Sequence, residues 1–550
     1  MSDTTLPRSR PTTSGKGVGA GATDPVARLR PAIAGAVGAL AAIGLSELVA
    51  GFLGAPSLLA AIGEFAIDHQ PAGAKDVVVG LFGTNDKLAL EALIVIVAAA
   101  IGAILGIVAV RRSVALAGAG FGAFAILGFL ATLGMASASP TTSMIVALVA
   151  GITGVQVMSF LLRGAAAGGT AAGPGRTRAG TPIPVFMANW SRRGFLLQAG
   201  AIAVASSAAG IIGRRLLEGG SLPVAGPTVG GAQAALPSPV TVAVLPAGAE
   251  IQQDGLTPLV VPNERFYRID TALVTPSVDL ATWKLRVHGM VDHEVSLTWK
   301  DLAELPLIEQ YVTISCVSNE VGGNLVGNAK WTGVKLRDVL AMAGVQAGAT
   351  QLVGRSVDGW TAGMPTAWVM DPAREPMIAL LMNDAPLPRN HGFPARLIVP
   401  GLYGYVSATK WLTELELTTL EAFDGYWVPL GWSKLGPILT QSRIDTPSNG
   451  QGVAAGRVPI AGIAWAPDRG VTKVEVAIDG VWQAATLSTP ISDATWVQWL
   501  VAWDATAAGP GSHTIEVRAT DGTGAVQTTD VTPPAPDGAR GHHTITVTVG

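Results

Sequence analysis

The sequence predicts a protein of three parts: a multi-pass α-helical membrane domain, an α+β domain and an all-β sandwich. Hydrophobic residues make up 49% of the 550 residues and charged residues only 14%, and the mean hydropathy is +0.43. Such a chain is too apolar to be wholly soluble, so part of it belongs in a membrane. Strand and helix patterns are mixed between residues 251 and 440, and short alternating strands dominate residues 447 to 550.

Five apolar stretches are long enough to cross a bilayer as helices. They run from Ala32 to Gly54, Leu88 to Val110, Val114 to Gly134, Thr141 to Leu162 and Phe195 to Gly213. Glu47 and Glu91 are the acids that interrupt them. A channel or transporter built from the first four stretches is an alternative function, but such a site would need more charge inside the spans.

Basic residues orient these helices. Arginines cluster in the N-terminal tail, at Arg111 and Arg112, and in the linker after Leu162, whereas the loop from Ala55 to Lys87 is mainly acidic. Because basic loops stay in the cytoplasm, we expect the N-terminus on the cytoplasmic side of the cell membrane and everything after Gly213 on the extracytoplasmic side. The expected segments are a cytoplasmic basic tail (1–31), four transmembrane helices (32–162), a cytoplasmic linker (163–194), a fifth transmembrane helix (195–213) and an extracytoplasmic linker (214–250).

The segment Ser191-Arg192-Arg193-Gly194-Phe195-Leu196-Leu197 precedes the fifth apolar stretch. It looks like a twin-arginine translocation signal, which directs folded proteins across a membrane. The alternative is an ordinary basic flank of a membrane helix. Ala232-Gln233-Ala234 resembles a signal-peptidase site, but it lies far beyond the apolar stretch, so we expect an uncleaved anchor.

Cys316 is the only cysteine in the chain, so it cannot form an internal disulfide. A β-type approach ends at this residue, a loop rich in Gly and Asn follows, and a helical stretch is predicted to open at Trp331. A thiol at the end of a strand and beside a loop can hold a soft metal. The alternative is a buried structural cysteine.

After residue 447 the pattern is that of a sandwich. Val474, Val476 and Ile478 alternate into Asp479-Gly480, and similar runs begin at Val497, Ile515 and Ile545. Short alternating strands with Asp-Gly turns predict antiparallel hairpins packed in two sheets.

Three further segments accompany the cysteine segment from Tyr311 to Asn324. They are Pro262 to Arg268, Val357-Asp358-Gly359, and the pair His391 to Gly401 and Ser407 to Leu412. In this order they resemble the sulfite oxidase family of molybdenum enzymes. The resemblance covers residues 251 to 550 and implies a molybdopterin-binding domain of the sulfite oxidase type (251–440) and an immunoglobulin-like domain (447–550).

The resemblance also implies one Mo-molybdopterin per chain, with Cys316 as metal ligand and catalytic residue and a pterin dithiolene supplying two more sulfurs. Arg396 would fork onto the pterin phosphate, and Lys410 would act as a point charge. A surface ion pair for Arg396 and an ordinary loop position for His391 are the alternatives. The residues implied to hold the cofactor are Asn263, Tyr267, Arg268, Ser356, Asp358, His391, Arg396, Ala408, Thr409 and Lys410.

One departure from the family bears on the substrate. Sulfite-oxidising members carry a basic cluster just after the cysteine, whereas Val317-Ser318-Asn319-Glu320 stands here, which argues against sulfite. Candidate contacts to another oxo-substrate are Asn319, Asn324, Asn328 and Lys330. The run from Gly425 to Trp432 resembles a family segment that approaches the substrate pocket. Its alternative is an aromatic cluster that packs two domains together.

The apolar stretches and their basic flanks predict a membrane-anchored, extracytoplasmic enzyme, and the resemblance implies a molybdopterin oxidoreductase that transfers an oxygen atom to or from a small oxo-substrate. His69 is the sole histidine before His288, so the spans lack paired haem ligands, and electrons would pass to a separate cytochrome or quinone-linked carrier. A methionine sulfoxide reductase is one alternative, and a non-enzymatic surface-binding protein on a cofactor-free scaffold is another. The immunoglobulin-like domain suits a homodimer, and the net charge of -3 argues against nucleic acid.

Overall fold

The computed structural model describes residues 25–69, 86–133, 135, 139–166, 191–218 and 236–550. Most of the N-terminal tail and of the linker 163–194, and residues 219–235 of the linker 214–250 with Ala232-Gln233-Ala234, lie outside the described residues. The described residues fall into two compact units. The first takes those within Met1–Ser46, Ala92–Leu127 and Ile145–Ile211, and the second takes those within Glu47–Glu91, Gly128–Met144 and Ile212–Gly550.

Apart from Gly54, the described residues of each predicted apolar stretch lie in a long helix. Among the described residues these helices are α1 (Pro25–Leu53), α3 (Asp86–Arg111), α4 (Val114–Leu133), α5 (Pro140–Ala166) and α6 (Arg192–Leu217). All five contain a segment that is long and apolar enough to span a membrane. The predicted helical membrane part is confirmed as a set of helices of this kind.

A shorter helix, α2 (Leu58–Asp68), lies in the loop for which no structure was predicted. Ser57 caps it by accepting a hydrogen bond from the Ala60 amide at 3.0 Å. The Ser57 hydroxyl in turn donates to Glu47 at 2.6 Å. An apolar environment demands such partners for the backbone amides at a helix start, which gives Glu47 a structural role.

Small residues let helices of the first unit approach closely. A Cβ atom at Gly35 of α1 would lie 1.9 Å from the Gly102 carbonyl of α3, and one at Gly44 would lie 2.0 Å from the Ser206 carbonyl of α6. Neither position therefore tolerates a side chain. Packing through glycines is the usual way in which membrane helices associate.

The α+β part begins after a long irregular segment and contains two sheets within residues 284–418. The first has the order β2-β1-β10-β5-β6, and the second has the order β3-β4-β7-β8, with β9 paired to β7. Its strands are β1 (Lys284–Gly289), β2 (Val295–Thr298), β3 (Leu307–Ser315), β4 (Val326–Lys335), β5 (Gln351–Ser356), β6 (Thr361–Pro365), β7 (Met377–Met382), β8 (Ala385–Pro386), β9 (Arg396–Ile398) and β10 (Leu412–Thr418).

Short helices connect these strands. They are α7 (Trp299–Ala303), α8 (Leu336–Ala343), α9 (Thr366–Val369), a 3-10 turn (Arg389–His391) and α10 (Gly404–Ser407). The prediction that a helical stretch opens at Trp331 is wrong, because residues 331–335 belong to β4, which lies between β3 and β7. Trp331 is fully buried there, and the helix begins only at Leu336.

The C-terminal part is the predicted all-β sandwich. Its sheets have the orders β11-β13-β17-β16 and β12-β19-β18-β14-β15 within residues 441–549. It begins at β11, which precedes residue 447 and pairs with β13. The elements are β11 (Gln441–Thr446), β12 (Gly452–Val453), β13 (Arg457–Trp465), β14 (Val471–Ile478), β15 (Val481–Ala484), β16 (Thr486–Leu487), β17 (Val497–Asp504), α11 (Ala505–Ala508), β18 (Gly511–Asp521) and β19 (His543–Val549).

The predicted Asp479-Gly480 turn joins β14 to β15. Both residues have positive φ, at 49° and 83°. This is the geometry of a tight hairpin turn that matches the twist of its strands, and Asp-Gly adopts it readily.

Candidate functional site

A cavity in the α+β part brings together residues from several loops. It has about 820 Å³ of empty space, part of which is open to solvent. The predicted site residues on its wall are Tyr267, Cys316, Ser356, Asp358, Arg396, Ala408 and Lys410. Asn263, Arg268, His391 and Thr409 lie behind or beside this wall.

Cys316 directly follows β3 and begins the loop to β4. Its backbone amide donates to the Leu325 carbonyl at 2.9 Å, and the Asn319 side chain accepts from the Leu325 amide at 2.7 Å. The loop thus closes on itself and holds Cys316 on the cavity wall, where the residue is 8% exposed.

Arg396 starts β9 and is 3% exposed. Its Nη1 donates to the His391 carbonyl at 3.1 Å, and its guanidinium carbon lies 5.1 Å from the centre of the Trp331 ring. Its Nε has no hydrogen-bond partner among the described residues. Burial lowers the pKa of Arg396 to about 10. A buried guanidinium with an unused donor is suited to an anion.

Lys410 faces a carboxylate that was not predicted. Its Nζ donates to Asp270 at 2.9 Å and to the Asn390 carbonyl at 3.0 Å. Burial lowers the pKa of Lys410 to about 8, although Asp270 acts in the opposite direction. Burial would raise the pKa of Asp270, but the surrounding cations, Lys410 foremost, hold it well below its usual range. An incoming anion would therefore stabilise the charged form of Lys410.

A glycine makes room between the two cavity cations. Gly392 has a φ of 113°, and a Cβ atom there would lie 3.1 Å from both Arg396 Cβ and Lys410 Cα. This left-handed conformation favours glycine. The turn after the 3-10 helix thereby carries the chain between Arg396 and Lys410.

The predicted residues outside the wall support those on it. His391 is 1% exposed, and its Nε2 pairs with the Asn263 carbonyl at 3.0 Å. The Asn263 side chain donates to the Met382 carbonyl at 3.1 Å. Arg268 pairs with Asp270 at 2.9 Å. In this structure, none of His391, Asn263 and Arg268 lines the cavity itself, and each is linked to it through a neighbouring residue.

Buried groups around the cavity offer hydrogen bonds that the described residues leave unused. Besides Arg396 Nε, these include His391 Nδ1 and Thr409 Oγ1. Burial and the charge of Lys410 lower the pKa of His391 to about 4, so its ring is neutral at neutral pH. Unused buried donors and acceptors in a native protein call for a ligand or water. Together with the two cavity cations, they fit a polar ligand with an anionic end, as a pterin phosphate is.

The described residues contain no cluster of three or more His, Cys, Asp or Glu side chains that could hold a metal ion. A metal that takes one thiolate from the protein and its other sulfurs from a pterin needs no such cluster. The donor set of the cavity, one thiol beside buried cations, fits this second kind of centre.

The four candidate substrate contacts do not line the cavity. Asn319 holds the cysteine loop, Asn328 donates to the Leu259 carbonyl in the core, and Lys330 pairs with Asp384 at 2.5 Å. Asn324 is exposed. The structure does not bring these residues to the cavity wall, because in the pairing of β3 with β4 Asn328 and Lys330 contact other parts of the chain. Their contact with a substrate stays a prediction.

Aromatic side chains form much of the remaining wall. Trp427 and Trp432 lie on it, which favours the interpretation of Gly425 to Trp432 as a segment that approaches the pocket. Trp360 and Tyr405 also line the cavity and were missed. Tyr405 is in α10, between two family-like segments, and this position is the signal that could have found it.

Comparison with known proteins gives two family matches. A family described as "Oxidoreductase molybdopterin binding domain" matches residues 272–427. One described as "Bacterial Ig domain" matches residues 441–517.

Individual relatives match the same part of the chain. Mitochondrial sulfite oxidase from Homo sapiens is 33% identical over 270 residues, which cover 42% of this chain and 49% of that protein. An uncharacterized oxidoreductase, YuiH, from Bacillus subtilis is 34% identical over 188 residues, which cover 34% of this chain and 89% of that protein. The chain spans about half the length of the mitochondrial sulfite oxidases that it matches.

Among solved structures, the sulfane dehydrogenase SoxCD from Paracoccus pantotrophus aligns with a TM-score of 0.45 at 21% identity. The alignment covers 58% of this chain and 92% of that one.

Proposed function

We propose, on the premise that this chain belongs to the sulfite oxidase-like family of molybdopterin-dependent oxidoreductases, that it transfers an oxygen atom at a molybdenum ligated by Cys316. The enzyme would be anchored in the cell membrane with its catalytic part outside. One observation carries this proposal: Cys316, Arg396 and Lys410 line a single cavity, the thiol for the metal and the two cations for the anionic end of the pterin.

The bound cofactor would supply the two-electron redox change of molybdenum that oxygen-atom transfer requires. The chain would supply the thiolate, which is a soft ligand and which the closed loop after β3 holds in position. Arg396 and Lys410 would neutralise the phosphate, and His391 and Thr409 would offer hydrogen bonds nearby. Reduction of an oxo-substrate also consumes two protons and releases water.

Tyr267 is a proton-bearing group on the cavity wall. Burial raises the pKa of Tyr267 above its usual range, and the neighbouring Cys316 acts in the same direction. The phenol therefore keeps its proton and can donate a hydrogen bond to a substrate or cofactor atom. We assign Tyr267 the role of orienting that substrate or cofactor atom. Electrons would be exchanged with a separate carrier.

Two experiments on the purified full-length protein test the proposal. Metal analysis with extraction of the pterin should find about one molybdenum and one pterin per chain, as one Cys316 thiolate per chain provides one soft ligand. The Cys316→Ser variant should be folded and exported but inactive with any artificial electron donor or acceptor, since a hydroxyl is a harder and far less acidic ligand. Wild-type activity in this variant would rule out the ligand role.

A methionine sulfoxide reductase is a second candidate, favoured by the lining of the cavity. Its wall carries the aromatic side chains Trp360, Tyr405, Trp427 and Trp432. Among the described lining residues, the cationic ones are Arg396 and Lys410, which the cofactor would engage. An aromatic surface suits the neutral, sulfur-containing part of a sulfoxide better than it suits sulfite.

Turnover assays with methionine sulfoxide and with sulfite distinguish a methionine sulfoxide reductase from a sulfite-oxidising enzyme. Free or peptide-bound methionine sulfoxide should be reduced by an artificial donor, while sulfite should support no reduction of an artificial acceptor. Oxidation of sulfite at a comparable rate would instead make sulfite the substrate and would exclude the second candidate as the main activity.

A further inference from the structure

A lysine from the membrane part reaches the carboxylate on the cavity wall. Lys87 stands in the first turn of α3, and its Nζ donates to Asp270 Oδ1 at 2.5 Å and to the Ala272 carbonyl at 2.8 Å. The Lys87 side chain is 29% exposed and that of Asp270 only 6%. Because water is largely excluded from Asp270, this pair is screened less than an ordinary surface ion pair.

A second contact holds the same segment. Arg214, near the end of α6, donates to the Leu273 carbonyl and pairs with Glu91 of α3. The segment from Ile269 to Leu273 is therefore tied to the ends of two membrane helices. Ile269, Asp270 and Thr271 of this segment also line the cavity.

Asp270 bears on the site because it competes with the cofactor. Its carboxylate binds Lys410, the cation that the proposed function assigns to the pterin phosphate. An uncompensated carboxylate there would hold Lys410 back and would repel a phosphate. Lys87 and Arg268 offset that negative charge. With Lys410, the positive charge around Asp270 is greater than the single negative charge of its carboxylate.

We propose, resting on the function proposed above, that Lys87 is a positioning residue for the cofactor site: it neutralises Asp270 and so leaves Lys410 available to the anionic end of the cofactor. The membrane part then helps to retain the cofactor in addition to anchoring the enzyme. This gives the first turn of α3 a role that a plain anchor would not need.

The test measures retention of molybdenum and pterin by the full-length protein during prolonged gel filtration, with no turnover assay. The Lys87→Gln variant should lose both about three- to tenfold faster than wild type, as expected for the loss of one partly buried charge. Lys87→Arg should retain them nearly as well as wild type. Lys300→Gln is the matched control, because Lys300 is 82% exposed and pairs with Glu304 at 3.8 Å.

A double variant shows whether Lys87 acts through Asp270. Asp270→Asn removes the competing charge, so Lys87→Gln combined with Asp270→Asn should recover most of the lost retention. Lys87→Met, which keeps the apolar stem, replaces Lys87→Gln if that variant is insoluble.

Three results would overturn the proposal: retention by Lys87→Gln equal to wild type, equal loss in the Lys300→Gln control, or an undiminished effect of Lys87→Gln in the Asp270→Asn background. Absence of molybdenum and pterin from the wild type itself would instead reject the proposed function. The two failures are therefore distinguishable.

Discussion

At the scale of single residues, Arg396 is held in position before any anion arrives. The His391 carbonyl and the Trp331 ring fix its guanidinium, and its Nε stays without a partner among the described residues. We predict that Arg396→Ala lowers cofactor retention on the order of ten- to a hundredfold, because a charge-assisted bond of this kind contributes about 1.5 to 3 kcal/mol. The measurement is molybdenum and pterin content after gel filtration.

Arg396→Lys is the companion variant. It keeps the charge but cannot make the paired bonds of a guanidinium, so it should recover only part of the retention. If Arg396→Ala keeps full occupancy, the phosphate lies elsewhere, and the site must be rebuilt around Cys316.

His391 makes the stability of the protein depend on pH. Its pKa is lowered to about 4 by burial and by the charge of Lys410, whereas in the unfolded chain it returns to about 6.5. Stability that is present above pH 6.5 should therefore decline as the pH falls towards 4, by at most about 3 kcal/mol. Thermal unfolding between pH 4 and pH 8, on protein produced without the cofactor, measures this decline.

The control for this prediction is another histidine. His391→Gln should flatten the pH profile of the melting temperature, while His293→Gln, at an exposed position, should leave it unchanged. An unaltered slope in His391→Gln would show that other groups cause the acid sensitivity.

At the scale of elements, the sandwich holds the loop that carries the cysteine. Arg443 of β11 donates from Nη1 to the Gly323 carbonyl at 2.8 Å and pairs with Asp445 at 2.6 Å. Gly322 lies so close to His543 of β19 that a Cβ atom would come within 2.3 Å of its ring. The immunoglobulin-like domain therefore supports the catalytic part whatever its role in dimer formation.

We predict that Arg443→Ala loosens this loop. The variant would take the cation away from Asp445, which is 6% exposed and, among the described residues, would keep only the hydrogen bond from the Thr257 amide at 3.0 Å. Removing one partner of such a buried ion pair costs about 3 to 5 kcal/mol. Because Cys316 is the only cysteine, the rate of alkylation by iodoacetamide in cofactor-free protein reports on the loop. Alkylation should be faster in Arg443→Ala and unchanged in Arg518→Ala, a control on the same domain that removes the pair with Glu475. Equal rates in both variants would contradict the support by Arg443.

The elements differ in how far the sequence predicts them. The alternation before Asp479-Gly480 predicts β14 and its turn correctly, because a period of two and a turn with positive φ are local properties. Trp331 to Val334 were predicted as helix because their strand partners, β3 and β7, are not visible in the local pattern. Cys316 and Arg396 stand in recognisable segments, whereas the contact of Lys87 with Asp270 joins positions that no local signal relates.

At the scale of the whole molecule, the contacts of the second unit agree with the topology expected from charge. Lys87 and Arg214 flank apolar helices and both contact the segment from Asp270 to Leu273. In a chain whose α3 and α6 span a membrane, the ends that carry Lys87 and Arg214 lie on the same side as that segment. This supports the proposal that the loop before α3 and the catalytic part are both extracytoplasmic.

The last prediction for the whole molecule concerns the route by which the catalytic part is exported to the extracytoplasmic side. Arg192 and Arg193 are exposed in the first turn of α6, where Ser191 accepts a hydrogen bond from the Gly194 amide at 3.1 Å. Replacing both arginines by lysine keeps the charge, so insertion that depends only on basic flanks should be unaffected. A twin-arginine pathway would distinguish the two side chains, because only a guanidinium presents a planar fork of donors.

We therefore expect the double variant Arg192→Lys with Arg193→Lys to insert its first four helices but to leave the catalytic and sandwich domains in the cytoplasm. Protease treatment of intact spheroplasts, followed by detection of a C-terminal tag, measures this location. The matched control is Arg111→Lys with Arg112→Lys, which alters an arginine pair at the C-terminal end of α3 and should be exported normally. If the C-terminal domains of the Arg192 and Arg193 variant are digested as in wild type, the pair is an ordinary basic flank and the cofactor need not be loaded before export.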